Sequence, residues 1–343
     1  MEIGTQIKQL RLRRGITQEA MAQHFGITPQ AISKWERGVA TPDIFLLPDI
    51  SAYFGVSIDE LFALSDETRM ERIQNMLWDV RYLNQVDIHA AREFLLEKAR
   101  REPDNGRPHE LLADMENHIA REHMSYASEY AKEALRRDPT RRNAFGELVF
   151  SMNGKISDWN GASHYALIDF LADYIESHPT CRNAYLDIID QLLDDYRIDE
   201  ASEYCERLSF IDESYRVALY RGKVAWQEGN RSKAFDIWKE MEQKFPEEWC
   251  VYHNIGDYLL RDGQIMKVAE YYRRAINIQS APRYTDPFDA LAQFYERIGD
   301  YKSAISVLNE QLDVFKNEWH FTEGESADIV RREILRLERK LAK

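Results

Sequence analysis

Residues 28–38, TPQAISKWERG, concentrate side chains that can hydrogen-bond or carry positive charge. Lys34 and Arg37 are cationic, and Gln30 and Ser33 can both donate and accept hydrogen bonds. Donors of this kind on one helix can contact base edges and phosphates in a DNA groove. The segment therefore suggests nucleic-acid chemistry, yet the chain has 59 acidic and 45 basic side chains and a net charge of -14.

The charge is unevenly distributed. Residues 1–40 have a net charge of +3 and the remaining 303 residues a net charge of -17. A cationic end can approach phosphates while an acidic body is repelled from them. The alternative is that the acidity serves only solubility, and the bulk charge does not decide between the two.

Signatures of catalysis are missing from the sequence. It contains no glycine-rich phosphate loop, no H-E-x-x-H and no G-x-S-x-G. His118 and His123 are five residues apart, a poor spacing for two metal ligands on one helical face. The carboxylates of DIIDQLLDD are expected to be solvated or to line a groove: Asp187, Asp190, Asp194 and Asp195. We therefore expect neither an enzyme nor a bound metal or cofactor.

Length and composition favour a soluble helical protein. The 343 residues suffice for two domains or one extended array, and 15 Gly and 10 Pro leave little room for an all-β fold. The first residues do not resemble a signal peptide, and no segment approaches the ~20 apolar residues that span a bilayer. Cys181, Cys205 and Cys250 lack C-x-x-C spacing and are expected to be reduced, with Cys205 in the core. The predicted location is the cytoplasm.

Capping residues divide the first 64 residues into five helices. The first ends at Gly15, and Thr17 caps QEAMAQHF. Gly26 provides a tight turn, after which Thr28 caps a third helix with Pro29 at its first position. A fourth helix ends at YFG and a fifth follows from Ser57.

The segment TQEAMAQHFGITPQAISKWERG resembles the Cro-like (xenobiotic-response-element) helix-turn-helix family. It keeps the small Ala22, the turn at Gly26 and the apolar Ile32 and Trp35. The resemblance covers about the first 64 residues and implies that the helix after Thr28 enters the major groove. Pro29 departs from the polar residue that members often carry and removes one possible base contact.

The resemblance, carried over by position, implies which side chains contact DNA. Gln30 and Lys34 are predicted to read bases, because Gln can pair with adenine and Lys with guanine. Gln18 and Arg37 are predicted to contact phosphates. The full set of predicted DNA-binding residues is Gln18, Thr28, Gln30, Ser33, Lys34 and Arg37. The alternative is that these side chains are simply solvated.

Two further expectations concern charges of the same segment. Family position implies that Arg11 and Glu36 form an ion pair between the first helix and the recognition helix. Arg13 and Arg14 either touch the DNA backbone or stay in solvent.

One recognition helix reads too few base pairs for genomic specificity, so a homodimer on a two-fold symmetric site of double-stranded DNA is expected.

The remaining chain is repetitive. Gly229, Gly263 and Gly299 are each followed five residues later by Ala234, Val268 and Ala304, and four residues after those by Trp238, Tyr272 and Leu308. This pattern, with Pro246 closing a unit, resembles the tetratricopeptide repeat of paired antiparallel helices.

Weaker copies of the repeat precede these. Ala201 and Cys205 mark one unit, while Pro103, Pro139 and Pro179 close three more, with Ala91, Ala127 and Leu167 at the small position. NGKISDWNG is predicted to lengthen one loop. About seven units are expected between Arg72 and Lys316. The terminal amphipathic helix, with Val330, Ile334, Leu337 and Leu341, is expected to cap the array, and a coiled-coil contact is the alternative.

The repeat family implies a concave groove that binds peptides or protein segments. Outward positions on the first helix of each pair are Asn143, Phe150, Asn183, Leu186, Asp190, Arg216, Lys223, Trp226, His253, Asp257 and Arg261. Asn143 and Asn183 occupy equivalent places and could grip a peptide backbone. Helix capping is an equally good explanation for each Asn alone.

The sequence thus predicts an all-α protein with a five-helix domain at 1–64, a linker at 65–71 and a solenoid with its capping helix at 72–343. The combination resembles peptide-pheromone regulators of the RRNPP type and predicts a dimeric, peptide- or protein-sensing transcription regulator. The alternatives are a DNA-bound protein scaffold without an effector, or a helix-turn-helix that mediates only protein contacts.

Overall fold

The computed structural model describes residues 3–62, 65–154 and 163–342, and every secondary-structure element in these ranges is helical. The chain divides into two compact units, Met1–His123 and Met124–Lys343. The helices of the first unit are α1 (Ile3–Arg13), α2 (Gln18–Phe25), α3 (Pro29–Glu36), α4 (Leu47–Phe54), α5 (Ile58–Leu61), α6 (Asp66–Asp79), α7 (Gln85–Arg101) and the first half of α8 (Arg107–Arg137).

The five predicted helices of the amino-terminal domain are confirmed as α1–α5. Thr17 and Thr28 cap α2 and α3 through side-chain oxygens that accept from Ala20 N and Ala31 N. Gly26 adopts φ 65°, a left-handed conformation that glycine enters without a steric penalty. The core of this domain consists of Ile3, Ile7, Leu10, Met21, Ala22, Ile32, Trp35, Leu47, Ile50, Phe54 and Leu61.

A second core in the first unit joins α6, α7 and the first half of α8. It contains Met70, Ile73, Leu77, Leu83, Ile88, Ala91, Phe94, Leu95, Leu111 and Met115. Ser65 caps α6 as predicted. Residues 66–71, assigned to a linker from the sequence, lie in the first turns of α6.

The predicted second helix pair is wrong. A turn was expected between Pro103 and Pro139, but α8 runs unbroken over its 31 residues. No glycine or proline interrupts residues 109–138, so nothing ends the helix there. His118 is buried in this helix and its Nε2 lies 3.0 Å from the carbonyl oxygen of Arg81.

The second unit contains the second half of α8 and, among the described residues, eleven further helices. They are α9 (Arg142–Ser151), α10 (Tyr165–Ser177), α11 (Arg182–Asp194), α12 (Ile198–Ser209), α13 (Tyr215–Gln227), α14 (Arg231–Lys244), α15 (Trp249–Arg261), α16 (Ile265–Asn277), α17 (Asp286–Arg297), α18 (Tyr301–Asn317) and α19 (Glu325–Leu341). Most of NGKISDWNG, residues 155–161, lies outside the described residues, and so does the loop predicted there.

The repeat register of α11–α18 is confirmed by burial. Ala201, Ala234, Val268 and Ala304 are fully buried at the predicted small position, and Cys205 is a core residue. Gly222 of α13 and Gly256 of α15 allow the close approach of the following helix. A Cβ at these positions would lie 2.0 Å from Trp238 Nε1 and 2.7 Å from Tyr272 Cε1.

Two details of the predicted repeat need correction. Leu167 was placed at a buried position, but it is 45% exposed and the core residue beside it is Ile168. On α19, Val330, Ile334 and Leu337 are buried while Leu341 is exposed. The buried face of α19 packs on α18, and Arg336 donates to both carboxylate oxygens of Glu296 on α17. The predicted capping role of α19 is therefore confirmed.

Candidate nucleic-acid interface and ligand groove

The recognition helix α3 is fixed to α1 by a buried ion pair. Arg11 Nε and Nη2 donate to Glu36 Oε1 and Oε2 at 2.5 and 3.0 Å, and Arg11 Nη1 donates to the carbonyl of Ile16. This is the pair that family position implied. Burial alone would raise the pKa of Glu36, but the hydrogen bonds from Arg11 and Gln18 hold it below its ordinary value. The carboxylate therefore stays ionised within the domain.

Gln18 belongs to the same network. Its Nε2 donates to Glu36 Oε2 at 2.7 Å, which ties the start of α2 to the end of α3. The amide nitrogen carries a second hydrogen that can still donate to a phosphate oxygen. Gln18 is thus a structural residue of the domain as well as a candidate phosphate contact.

Arg14 is exposed, and it also makes a contact with α4 that the sequence did not predict. Its Nη1 donates to the carbonyl oxygen of Tyr53, and its guanidinium lies 5.6 Å from the ring centroids of Tyr53 and Phe54. It therefore connects α1 to α4. Arg13 is exposed.

The other candidate DNA contacts surround the outer face of α3. Gln30, Lys34 and Arg37 are exposed, and Ser33 is half-buried. Thr28 uses its hydroxyl oxygen to cap α3. Arg37 Nε donates to the carbonyl of Ser33 at 3.2 Å, which leaves its two terminal nitrogens to donate elsewhere. The packing of Ile32 and Trp35 underneath presents these donors on one side of the helix.

In the second unit, α11, α13 and α15 line a groove with a volume of about 440 Å³. Of the eleven predicted groove residues, Asp190, Lys223, Trp226, Asp257 and Arg261 line it. The residues that the sequence interpretation did not assign are Gln191, Leu193, Tyr196, Gln227, Asn254 and Tyr258, together with Asp194, for which groove lining was one of two alternatives.

The groove contains a hydrogen-bonded polar layer. Lys223 Nζ lies 2.8 Å from Asp190 Oδ1, and Tyr220 OH donates to Asp190 Oδ2 at 2.6 Å. One repeat later, Tyr272 OH donates to Asp257 Oδ1 at 2.6 Å. These contacts fix both carboxylates in orientation. Burial, and then the charge of Asp190, raise the pKa of the neighbouring Asp187 above its ordinary value.

Aromatic rings and a cation complete the groove. The ring centroids of Trp226 and Tyr258 lie 5.2 Å apart in an edge-on arrangement. The guanidinium of Arg261 lies 5.0 Å from the Tyr258 centroid. Arg261 has no ion pair among the described residues, so its planar donors are available to an acidic or carbonyl group.

The other six predicted groove residues lie elsewhere. Asn143 lines a separate cavity at the turn between α8 and α9. Phe150 and Asn183 are exposed, and Leu186, Arg216 and His253 are half-buried without lining the groove. Helix capping does not explain the two asparagines either, because the N-cap residues of α9 and α11 are Arg141 and Cys181.

Tyr196 is the groove residue with the most unusual backbone. It has φ 59° at the turn between α11 and α12, the place where Gly229, Gly263 and Gly299 stand in later units. The spacing of 33 residues between Tyr196 and Gly229 was a usable sequence signal for this turn. A bulky residue in the left-handed region is rare and is often associated with a functional site.

Among the described residues, no helix is long and apolar enough to cross a membrane, and no group of His, Cys, Asp and Glu side chains has an arrangement suited to a metal ion.

Comparisons with known proteins address the amino-terminal domain. The helix-turn-helix family profile matches residues 7–61. The HTH-type transcriptional activator BcrR of Enterococcus faecalis is 36% identical over 75 residues, 22% of this chain and 37% of BcrR. The uncharacterized HTH-type transcriptional regulator y4dJ of Sinorhizobium fredii is 35% identical over 66 residues, 19% of this chain and 86% of the relative. The chain therefore spans well under half of BcrR but most of y4dJ.

Solved structures resemble the chain over a larger part of its length. A tetratricopeptide repeat protein from Parabacteroides merdae covers 79% of this chain and 98% of its own, with a TM-score of 0.41 and 14% identity. Bacillus thuringiensis PlcR, solved with the peptide PapR7 and DNA, covers 90% and 99%, with a TM-score of 0.26 and 13% identity. The repeat assignment depends on the packing of α11–α18.

Proposed function

Because the chain belongs to the helix-turn-helix family of DNA-binding transcriptional regulators, we propose that it binds a two-fold symmetric DNA site as a homodimer through α3. We further propose that its groove binds a peptide or protein segment that controls this activity.

The exposed donors of α3 support the DNA half of the proposal. Gln30 and Lys34 are one helical turn apart and share a face, so both can reach base edges when α3 lies in the major groove. We expect Arg37 and the second amide hydrogen of Gln18 to donate to phosphates. Two copies are needed because one such helix contacts only a few base pairs.

One observation carries the ligand half: Asp190, Lys223, Trp226, Asp257 and Arg261, from three successive repeats, line the same groove. The combination offers an aromatic anchor, fixed carboxylates and a cation. This suits an extended segment that presents backbone amides and charged side chains. The two DNA-binding domains of a dimer can adopt more than one relative arrangement. A ligand that binds one arrangement more tightly would increase the fraction of dimers in that arrangement.

Selection of bound fragments from genomic DNA, followed by titration, tests DNA reading. Q30A and K34A should remove sequence preference, and the remaining affinity should still fall with salt, by a slope of roughly 0.9 per phosphate contact. K302A on α18, remote in sequence and exposed, is the control and should leave both unchanged. Sequence preference that survives Q30A and K34A would contradict the assigned base contacts.

Native mass spectrometry of protein from its own host tests the groove. A co-purifying peptide is expected, and R261Q and D257N should lose it while K267Q, an exposed residue outside the groove, retains it. A reproducibly empty groove, together with capture of a folded protein partner on DNA, would favour the alternative of a DNA-bound scaffold.

A further inference from the structure

A second cavity, of about 310 Å³, lies in the first unit between α6 and α7. Each helix lines it with residues at positions i, i+3, i+4 and i+7, which share one helical face. They are Arg69, Arg72, Ile73 and Met76 from α6, and Asp87, Ala90, Ala91 and Phe94 from α7.

The floor of this cavity is apolar. Ile73, Ala91 and Phe94 are buried core residues, and Met76 packs against the same core. The small side chains of Ala90 and Ala91 leave the space between the two helices unfilled. An apolar group entering the cavity would therefore exchange water contacts for packed side chains.

The rim is cationic on the α6 side. The guanidinium of Arg69 stacks over the Phe94 ring, 3.9 Å from its centroid. Stacking holds the guanidinium plane in place while its edge donors stay available for two parallel hydrogen bonds to a carboxylate. Arg69 has no ion pair among the described residues. Asp87, on the opposite wall, lies in the first turn of α7. Its Oδ2 accepts a hydrogen bond from the side-chain amide of Asn84.

Competition from nearby acids is also reduced. Asp66, one turn before Arg69, is bound by Lys98 Nζ at 3.1 Å and lies 3.4 Å from Arg101 Nη2. Glu102 likewise accepts from Lys98, at 2.5 Å. Asp66 and Glu102 are therefore already paired with cations other than Arg69.

We propose that this cavity binds a small carboxylate with an apolar body, such as an aryl- or short alkyl-carboxylate, whose charged group contacts Arg69. The size is suitable, since a cavity of about 150 Å³ already accepts benzene and ligand pockets begin near 300 Å³. This site is separate from the groove of α11, α13 and α15 and gives the protein a second input, located in the helices that follow the DNA-binding domain.

Isothermal titration of the full-length protein tests the site with 3-phenylpropanoate as the probe. Its neutral analogue 3-phenylpropanol and inorganic phosphate separate the apolar from the anionic contribution. We expect saturable binding of the carboxylate, with the alcohol and phosphate each about tenfold weaker or undetectable.

Three variants make the test specific. R69Q should weaken carboxylate binding by about tenfold or more without affecting the alcohol. A90L, which fills the cavity from an exposed position, should abolish binding of both, and R100Q, an exposed arginine of α7 outside the cavity, should change nothing. Circular dichroism confirms that each variant is folded. Absent binding, unchanged binding in A90L, or phosphate binding as tightly as the carboxylate would overturn the proposal.

Discussion

Arg11 of α1 and Glu36 at the end of the recognition helix form a two-point ion pair, 2.5 and 3.0 Å long, in which both residues are about 8% exposed. Gln18 joins the same carboxylate from α2. Three helices of the DNA-binding domain therefore meet at one charged group. The orientation of α3 depends on that group remaining ionised.

Removal of the negative charge should destabilise this domain. E36Q keeps the shape of the side chain but leaves Arg11 buried without its counter-charge, which typically costs about 3–5 kcal/mol. Hydrogen–deuterium exchange of the full chain should show faster exchange across α1–α3, and DNA affinity should fall. R13A, an exposed arginine of the same helix, should change neither. Equal exchange in E36Q and the wild type would show that the pair does not hold α3.

Gly222 and Gly146 provide a matched test of the repeat packing. A Cβ at Gly222 would lie 2.0 Å from Trp238 Nε1, whereas a Cβ at Gly146, also helical, would meet nothing within 4 Å. G222A should lower the free energy of unfolding by about 1–3 kcal/mol because the buried Trp238 must move. G146A should raise it by about 0.5–1 kcal/mol through helix propensity. Urea unfolding of both variants measures this, and the same sign for both would contradict the packing explanation.

Much of this architecture could be predicted from local sequence signals. Thr17, Gly26 and Thr28 define the ends of α2 and α3 because caps and left-handed turns have strong residue preferences. The Gly-to-small spacing located the pairs from α13 to α18. In contrast, the repeat pattern wrongly predicted a turn within α8, where the sequence has no glycine or proline to end the helix. The partner of Gln18 and the six residues that fall outside the groove depend on side-chain positions that periodicity does not specify.

Replacement of Tyr196 should separate the stability cost of its backbone conformation from the contribution of its ring to the groove. As a non-glycine residue at φ 59°, it carries a backbone cost of about 1–2 kcal/mol that glycine would not. Y196G should therefore raise the free energy of unfolding by about 1 kcal/mol while removing an aromatic side chain from the groove. Y196A loses the same ring but keeps the backbone cost, so it should not be stabilised. If Y196A is as stable as Y196G, backbone strain is not the cause.

Glu296 should make the attachment of the capping helix α19 depend on pH. Hydrogen bonds from Arg336 and then Lys340 lower the pKa of Glu296 to about 2. In the unfolded chain a glutamate titrates near pH 4.3. Because the folded-state pKa is the lower one, the stabilisation is complete above about pH 5 and is lost as the pH falls through 4 toward 2.

E296Q should therefore cost about 1 kcal/mol at pH 7, a modest value because the side chain is partly exposed. At pH 2 most of the difference between E296Q and the wild type should be lost, because Glu296 is then about half protonated in the folded state. Urea midpoints at both pH values measure this difference, and E338Q, an exposed glutamate of α19, is the control. A difference that persists unchanged at pH 2 would show that the ion pairs of Glu296 do not hold α19 in place.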